Sequence, residues 1–202
     1  METIHAQNGL EIVGQQSSDL DYLKKLCQET KLVNALDESV SSQNMEEGLK
    51  FTIAKTQENV QLVKVFRAKW NPENGEAMQA YIHAQTAKGS GIGKIGSIMH
   101  LHRGDDKVND KLDIMASSLA MHIAAMKPTF LKREDIPEHV KEEIIAGEDG
   151  EKALKKYIKR DVLWEQELAT AEKSETVGRF LESRAKQMKT DLVIKNWALF
   201  MI

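Results

Sequence analysis

The sequence has a single cysteine among its 202 residues, only three prolines, 5% aromatic residues and no long hydrophobic run. One cysteine, Cys27, excludes an internal disulfide and fits a reducing compartment. No apolar stretch approaches the roughly 20 residues that a membrane-spanning helix needs. Residues 1–13 have neither the apolar core of a signal peptide nor the Arg-rich, acid-poor character of a transit peptide. We therefore expect no membrane span and no targeting segment in this chain.

The sequence also lacks a strong charge of either sign. Its formal net charge is −3, although 29% of its residues are charged. A chain with this balance has no global field of the kind that holds a protein on nucleic acid by neutralising phosphates. We expect no direct nucleic-acid partner. With 41% hydrophobic residues, the composition is that of a globular chain with one sizeable core or two small ones.

Motifs of hydrolytic catalysis are missing. The sequence contains no Gly-x-Ser-x-Gly elbow and no His-Glu-x-x-His helix. The glycine-rich segment at 89–94 ends in Lys94, as a phosphate-binding loop does, but no Ser or Thr follows and the segment leads into a predicted strand. A flexible connector between strands is the better interpretation. We predict a protein that is not an enzyme and holds no cofactor.

Three histidines could carry chemistry. His100 and His102 are two residues apart, so in a strand they would share a face and could ligate a metal together. No cluster of further ligands accompanies them at the usual spacing, so we predict solvated strand histidines and no metal site. His122 lies in an apolar helical pattern, which is typical of a core or interface histidine with its hydrogen bonds satisfied.

Hydrophobic periodicity predicts both helices and strands. Helices are predicted over 19–31, 45–56, 112–126 and 152–159, with further helices opening at 134–137 and near 176. Strands are predicted over 60–70, 78–83, 94–102 and 192–202. The order predicts an α+β fold in which antiparallel sheets pack with helices. In the Ala- and Met-rich helix over 112–126 we expect Leu119, Ile123 and Met126 to be buried against a sheet.

The predicted domain organisation is two-lobed. The division falls near 66–70, which gives an amino-terminal lobe over 1–67 and a carboxy-terminal lobe over 68–202. We find no short internal repeat and no low-complexity tract, which excludes a solenoid.

One long segment resembles a known family. The residues LAMHIAAMKPTFL at 119–131, followed by EDIP at 134–137, closely resemble the MHVAASKPxFxxxEDxP signature of elongation factor Ts. Three further segments resemble that family's motifs in the same order: AKTQENV at 54–60, YIH at 81–83 with 92–98, and KSETVG at 173–178. Together these segments cover about residues 50 to 182.

This resemblance implies a fold and a function. Members of the family have a two-lobed core with antiparallel sheets, bind the GTPase elongation factor Tu, and promote GDP release by intruding near its magnesium and phosphate site. An acidic-aromatic pair in the family motif TDFV does much of that intrusion. The matching residues here are Glu11, Ile12 and Val13. The resemblance assigns these three residues and His83 to a partner-binding surface, together with the connector that follows His83.

Several departures from the family leave two functions open. Ile12 stands where the family has an aromatic residue, no sequence corresponds to the family's amino-terminal helical module, and the stretch between Ile145 and Lys152 is shorter than the helical hairpin of bacterial members. The glycine-rich connector, the absence of that hairpin and the segment 151–166 are more similar to mitochondrial members, which implies the mitochondrial matrix. The first hypothesis is an exchange factor for elongation factor Tu in organellar protein synthesis, with weak exchange. The alternative is a diverged structural subunit of a larger mitochondrial assembly without exchange activity.

Overall fold

The computed structural model describes residues 44–60, 70–85, 93–105, 107, 109–170 and 174–201. These residues form five α-helices and three strands. In chain order they are α1 (Met45–Thr56), β1 (Glu76–His83), β2 (Ile95–Arg103), α2 (Asp110–Met126), α3 (Glu138–Ile145), α4 (Gly150–Asp161), α5 (Val177–Met188) and β3 (Leu192–Met201). The strands form one antiparallel sheet in the order β1-β2-β3. The predicted α+β fold class is therefore confirmed.

The chain divides into two compact units. The first comprises Met1–Trp70, Ile82–Ile95 and Phe200–Ile202, and the second comprises Asn71–Tyr81 and Gly96–Leu199. The predicted lobes over 1–67 and 68–202 stay a prediction. The predicted helix over 19–31 and the predicted strand residues 61–69 lie outside the described residues.

Polar side chains cap the amino-terminal ends of three helices in the described residues. The side chain of Asn44 accepts a hydrogen bond from the backbone N–H of Glu47 at 2.9 Å, and the Glu47 carboxylate accepts one from the N–H of Asn44 at 3.2 Å. This capping box satisfies two of the N–H groups that the first turn of α1 leaves unpaired. The side chains of Asn109 and Thr176 each accept a hydrogen bond from a backbone N–H in the first turn of α2 and α5, respectively.

The turn before β1 depends on a glycine. Asn71 caps a single 3₁₀ turn over Pro72–Asn74, and Gly75 follows it with a φ of 67°. A left-handed residue at this position reverses the chain, and glycine adopts that conformation without the steric penalty of a Cβ atom. The strand β1 begins at the next residue, Glu76.

The core of the second unit lies between the sheet and the helices. Met99 and Leu101 of the central strand β2 are fully buried, as are Leu119 and Ile123 of α2. The same hydrophobic cluster includes Leu112, Met115, Val177, Leu181, Leu192 and Ile194. The hydroxyl of Ser97 in β2 donates to the carbonyl of Ala120 in α2. This direct contact between strand and helix requires the close packing that a helix with many small residues permits.

The predicted burial of one residue of α2 is wrong. Leu119 and Ile123 are buried as expected, but the side chain of Met126 is 41% exposed. Met126 is the last residue of α2, because Lys127 adopts a left-handed conformation with φ of 50° and Pro128 cannot continue the helix. At a helix end there is no further turn to continue the buried stripe, so periodicity alone overestimates burial there.

The two helices after α2 form a pair with little burial. The segment predicted to open a helix at 134–137 instead forms a 3₁₀ turn over Arg133–Asp135, and α3 begins after Pro137. The predicted helix over 152–159 is α4, which is longer than predicted because it begins at Gly150. In the described chain, neither α3 nor α4 contains a fully buried residue. These helices pack against each other and present most of their polar side chains to solvent.

Candidate protein-interaction site

The predicted partner-binding histidine lies at the end of a strand. His83 is the last residue of β1, and its side chain is exposed. The next residue, Ala84, has a φ of 53°. A left-handed conformation is unfavourable for a residue with a Cβ atom, by roughly 1–2 kcal/mol, and such residues cluster at functional sites. The chain therefore leaves the strand abruptly, immediately after an exposed histidine.

A glycine lets the returning chain lie directly against this strand end. A Cβ atom placed on Gly93 would lie 2.5 Å from Cγ2 of Ile82 and 2.6 Å from the carbonyl oxygen of His83. Both distances are far shorter than a van der Waals contact, and one of the two atoms belongs to the backbone. Any other residue at this position would push the connector away from His83. Position 93 thus needs glycine because the backbone there lies very close to the strand end. A backbone conformation that only glycine favours is not the reason.

The other three predicted site residues lie outside the described residues. Glu11, Ile12 and Val13 precede residue 44, and the connector residues 86–92 are also outside the described part of the chain. His83, Ala84 and Gly93 are therefore the part of the predicted surface that the structure places. The grouping of His83 with Glu11–Val13 stays a prediction.

The prediction that His100 is a solvated strand histidine is wrong. His100 is only 1% exposed, and neither of its ring nitrogens has a hydrogen-bond partner. Its Nε2 atom lies 3.5 Å from a carboxylate oxygen of Glu76 on β1, and Nζ of Lys195 on β3 lies 3.9 Å from the other oxygen. Burial lowers the pKa of His100, and the Glu76 carboxylate opposes that shift only in part. A neutral imidazole is thus held in a row of side chains across the three strands.

Among the described residues, few candidate metal ligands accompany this row. Within the ranges that the structure describes, no group of three or more His, Cys, Asp or Glu side chains is placed to hold a metal ion. His102, which is half-buried two residues further along β2, does not complete such a group with His100 and Glu76.

His122 is the hydrogen-bonded core histidine that the sequence predicts. It is fully buried in α2, and its Nδ1 atom accepts a hydrogen bond from the backbone N–H of Ala169 at 3.1 Å. Its Nε2 atom lies 3.0 Å from Oε1 of Gln166. Since Nδ1 accepts, Nε2 carries the ring proton and donates it to Gln166. Burial lowers the pKa of His122, which favours this neutral form.

Gln166 is a residue that sequence reasoning missed. Its side chain is fully buried, and Nε2 donates to the carbonyl oxygens of Met126 at 3.3 Å and Arg160 at 2.5 Å. It therefore holds the ends of α2 and α4 together. A glutamine in an irregular segment has no periodic pattern around it, so no signal in one sequence distinguishes it from a solvated residue.

Comparison with known proteins connects this structure to a family. The model of the family described as Elongation factor TS matches residues 20–200, which is most of the chain. The chain belongs to the elongation factor Ts family. This match confirms the resemblance found in the motifs. It spans all four motif-bearing segments.

Several members of the elongation factor Ts family are similar to the chain. It is 37% identical over 157 residues to elongation factor Ts of Nautilia profundicola, covering 70% of this chain and 48% of that protein. It is 26% identical over 152 residues to mitochondrial elongation factor Ts of Heterostelium pallidum, covering 75% of this chain and 42% of that protein. It is 32% identical over 113 residues to elongation factor Ts of Borreliella burgdorferi, covering 54% of this chain and 37% of that protein. The chain thus spans about half, or less, of the length of these relatives.

None of the helices in the described residues combines the length and apolar character that crossing a membrane requires.

Proposed function

We propose that this chain binds elongation factor Tu and promotes the exchange of GDP for GTP in protein synthesis. The observation that carries the proposal is the family match over residues 20–200, supported by relatives that are named elongation factor Ts. Exchange by such a protein is a binding effect and involves no covalent chemistry. A partner that binds the nucleotide-free GTPase more tightly than the GDP form must weaken GDP binding by the same factor.

The proposed contact surface consists of Glu11, Ile12, Val13, His83 and the connector from Ala84 to Gly93. Two features of the described residues support the part of this surface formed by His83 and the connector. His83 is exposed, so a partner can reach it without any rearrangement of the strand. The left-handed conformation of Ala84 and the close approach of Gly93 to Ile82 and His83 restrict the backbone at the two ends of the connector. Fixing the ends of a binding loop reduces the conformational entropy that it loses when a partner binds.

The proposed location is an organelle, the mitochondrial matrix. The support is the similarity to the mitochondrial protein of Heterostelium pallidum. Bacterial relatives match as well, so elongation factor Tu of either mitochondrial or bacterial type is a suitable probe.

The direct experiment is stopped-flow release of a fluorescent GDP analogue from elongation factor Tu. We expect this chain to accelerate release and the His83→Ala variant to do so less effectively, with binding weakened by more than about 1 kcal/mol. His139→Ala is the matched control, because His139 is an exposed histidine on α3, outside the proposed surface.

Two results would count against this function. If the chain binds elongation factor Tu in a pull-down but leaves the rate of GDP release unchanged, exchange is lost. If it binds no elongation factor Tu and co-purifies instead with a large assembly, the alternative role as a structural subunit is supported.

A further inference from the structure

One helix carries a concentrated positive charge on its outer side. The residues of α4 that are half-buried are Ala153, Leu154, Tyr157 and Ile158. Its exposed side contains four lysines, which we call the lysine face: Lys152, Lys155, Lys156 and Lys159. Successive residues of an α-helix are about 100° apart, so these four positions fall within an arc of about 100° on the side opposite the half-buried residues. The lysine face is a continuous stripe.

The lysines of this stripe are not held in close ion pairs by neighbouring side chains among the described residues. No lysine of the lysine face forms an ion pair with another residue in the part of the chain that the structure describes. The neighbouring arginines do form such pairs, Arg160 with Asp161 at 2.6 Å and Arg133 with Glu165 at 2.8 Å. The negative end of the helix dipole favours cations in the last turn only. It accounts for Lys159 but not for the three lysines before it.

The composition of the surface indicates what kind of partner it suits. Interfaces between proteins are depleted in lysine and need an apolar centre. The apolar side chains of α4 lie on the other side of the helix, where they are already half-buried. Contacts to phosphate oxygens, in contrast, are commonly made by lysine and need no apolar centre. The chemistry of the lysine face therefore fits phosphates better than the surface of another protein.

The length of the stripe fits a short run of phosphates. Lys152 and Lys159 are seven residues apart, which is a distance of about 10 Å along the helix axis. One strand of a nucleic-acid duplex presents about three phosphates over that length. We infer that the lysine face binds the phosphate backbone of a nucleic acid, weakly and without sequence preference. The net charge of −3 excludes a global attraction but not this local one.

Binding to a labelled RNA tests the inference, which is independent of exchange activity. The probe is a fluorescein-labelled polyuridine RNA of about 20 nucleotides, and fluorescence anisotropy is measured in KCl between about 50 and 150 mM. Contacts with three or four phosphates of a single strand predict a slope of roughly −2 to −3 in a plot of log K against log salt concentration. Affinity should therefore fall about tenfold or more across this range.

Two variants of equal net charge distinguish binding at the lysine face from a general effect of net charge on RNA binding. In the first variant all four lysines of the lysine face are changed to Gln. In the control variant the same change is made at Lys50, Lys107, Lys111 and Lys186, which are exposed lysines elsewhere in the chain. Both variants have a formal net charge of −7 in place of −3. We expect the first to lose about tenfold or more in affinity at low salt, and the control to lose much less. A variant with Arg at the four positions of the lysine face should retain binding.

Three outcomes would overturn the inference. One is an unmodified protein that does not bind the RNA at low salt, and another is equal binding by the two Gln variants. The third comes from a labelled polyglutamate peptide of equal charge. If that peptide binds the lysine face more tightly than the RNA does, the surface serves an acidic protein. Circular dichroism of each variant checks that a loss of binding is not a loss of folding.

Discussion

His122 of α2 and Gln166 of the segment after α4 are joined by a buried hydrogen bond of 3.0 Å between Nε2 and Oε1. The Gln166 amide nitrogen in turn bonds the carbonyl oxygens of Met126 and Arg160. One side chain thus satisfies polar groups from two helix ends. Each buried polar group that loses its partner destabilises a protein by roughly 1–3 kcal/mol.

We therefore predict that Gln166→Leu lowers the free energy of unfolding by at least about 2 kcal/mol, measured by urea denaturation. Leucine fills a similar volume, so the effect reports the lost hydrogen bonds rather than a cavity. Gln187→Leu is the control, because Gln187 is exposed on α5 and its replacement should change stability by less than about 0.5 kcal/mol. Equal effects of the two changes would show that the Gln166 bonds contribute little.

The two buried histidines predict how stability depends on pH. Burial lowers the pKa of both His100 and His122 in the folded protein, while the unfolded chain has the ordinary value near 6.5. Below about pH 6.5 the unfolded state takes up protons that the folded state does not, so the free energy of unfolding falls as pH decreases. Above that pH, the contribution of these two histidines to the free energy of unfolding should be constant.

Urea denaturation at pH values between about 5 and 8 measures this dependence. His100→Leu should make the slope between pH 6.5 and 5 less steep, because Leu cannot be protonated in either state. His139→Leu replaces an exposed histidine and serves as the control for removing an imidazole elsewhere in the chain. A His100→Leu variant with the original slope would mean that His100 is not kept neutral by burial.

Two apolar residues of α2 should respond very differently to truncation. Leu119 is fully buried, so Leu119→Ala should lower the free energy of unfolding by about 2–5 kcal/mol. Met126 is 41% exposed, so Met126→Ala should have a much smaller effect. The difference in denaturation midpoint between the two variants is the measurement. Similar losses from both would indicate that Met126 is covered in the folded protein.

The contrast between Leu119 and Met126 shows what the sequence could predict. The period of α2 identified its buried face because burial along one helix repeats every three to four residues. The period could not show where that face stops being covered. His100 is a comparable case, since it is buried on the central strand beside Glu76, a residue of another strand that is distant in sequence. Of the proposed site, motif resemblance identified His83, but the close approach of Gly93 needed three-dimensional coordinates.

A second glycine, at the start of α5, lies against the ring of a tryptophan. A Cβ atom on Gly178 would collide with the indole of Trp164, and the Lys132 ammonium group lies 5.2 Å from the centroid of that ring. Gly178→Ala should therefore displace the indole and lower the free energy of unfolding by about 1–3 kcal/mol, although alanine favours a helix. Gly147→Ala, in the turn after α3, is the control because its Cβ atom would meet only one carbonyl oxygen at 3.3 Å. Urea denaturation gives the stability, and a changed tryptophan emission spectrum for Gly178→Ala alone would locate the cause.

Ile12 is the residue proposed to stand in place of the aromatic member of the family motif. In the proposed contact with elongation factor Tu, Ile12 would present a smaller apolar surface than a phenylalanine, so we expect exchange by this chain to be slow. Ile12→Phe should accelerate GDP release. If the larger side chain adds about 1 kcal/mol of apolar contact in the nucleotide-free complex, the rate should rise about fivefold. Ile4→Phe makes the same change outside the proposed motif and should leave the rate unaltered. Equal rates for Ile12→Phe and the unmodified chain, with a slower rate for His83→Ala, would show that the exchange surface includes His83 but not Glu11–Val13.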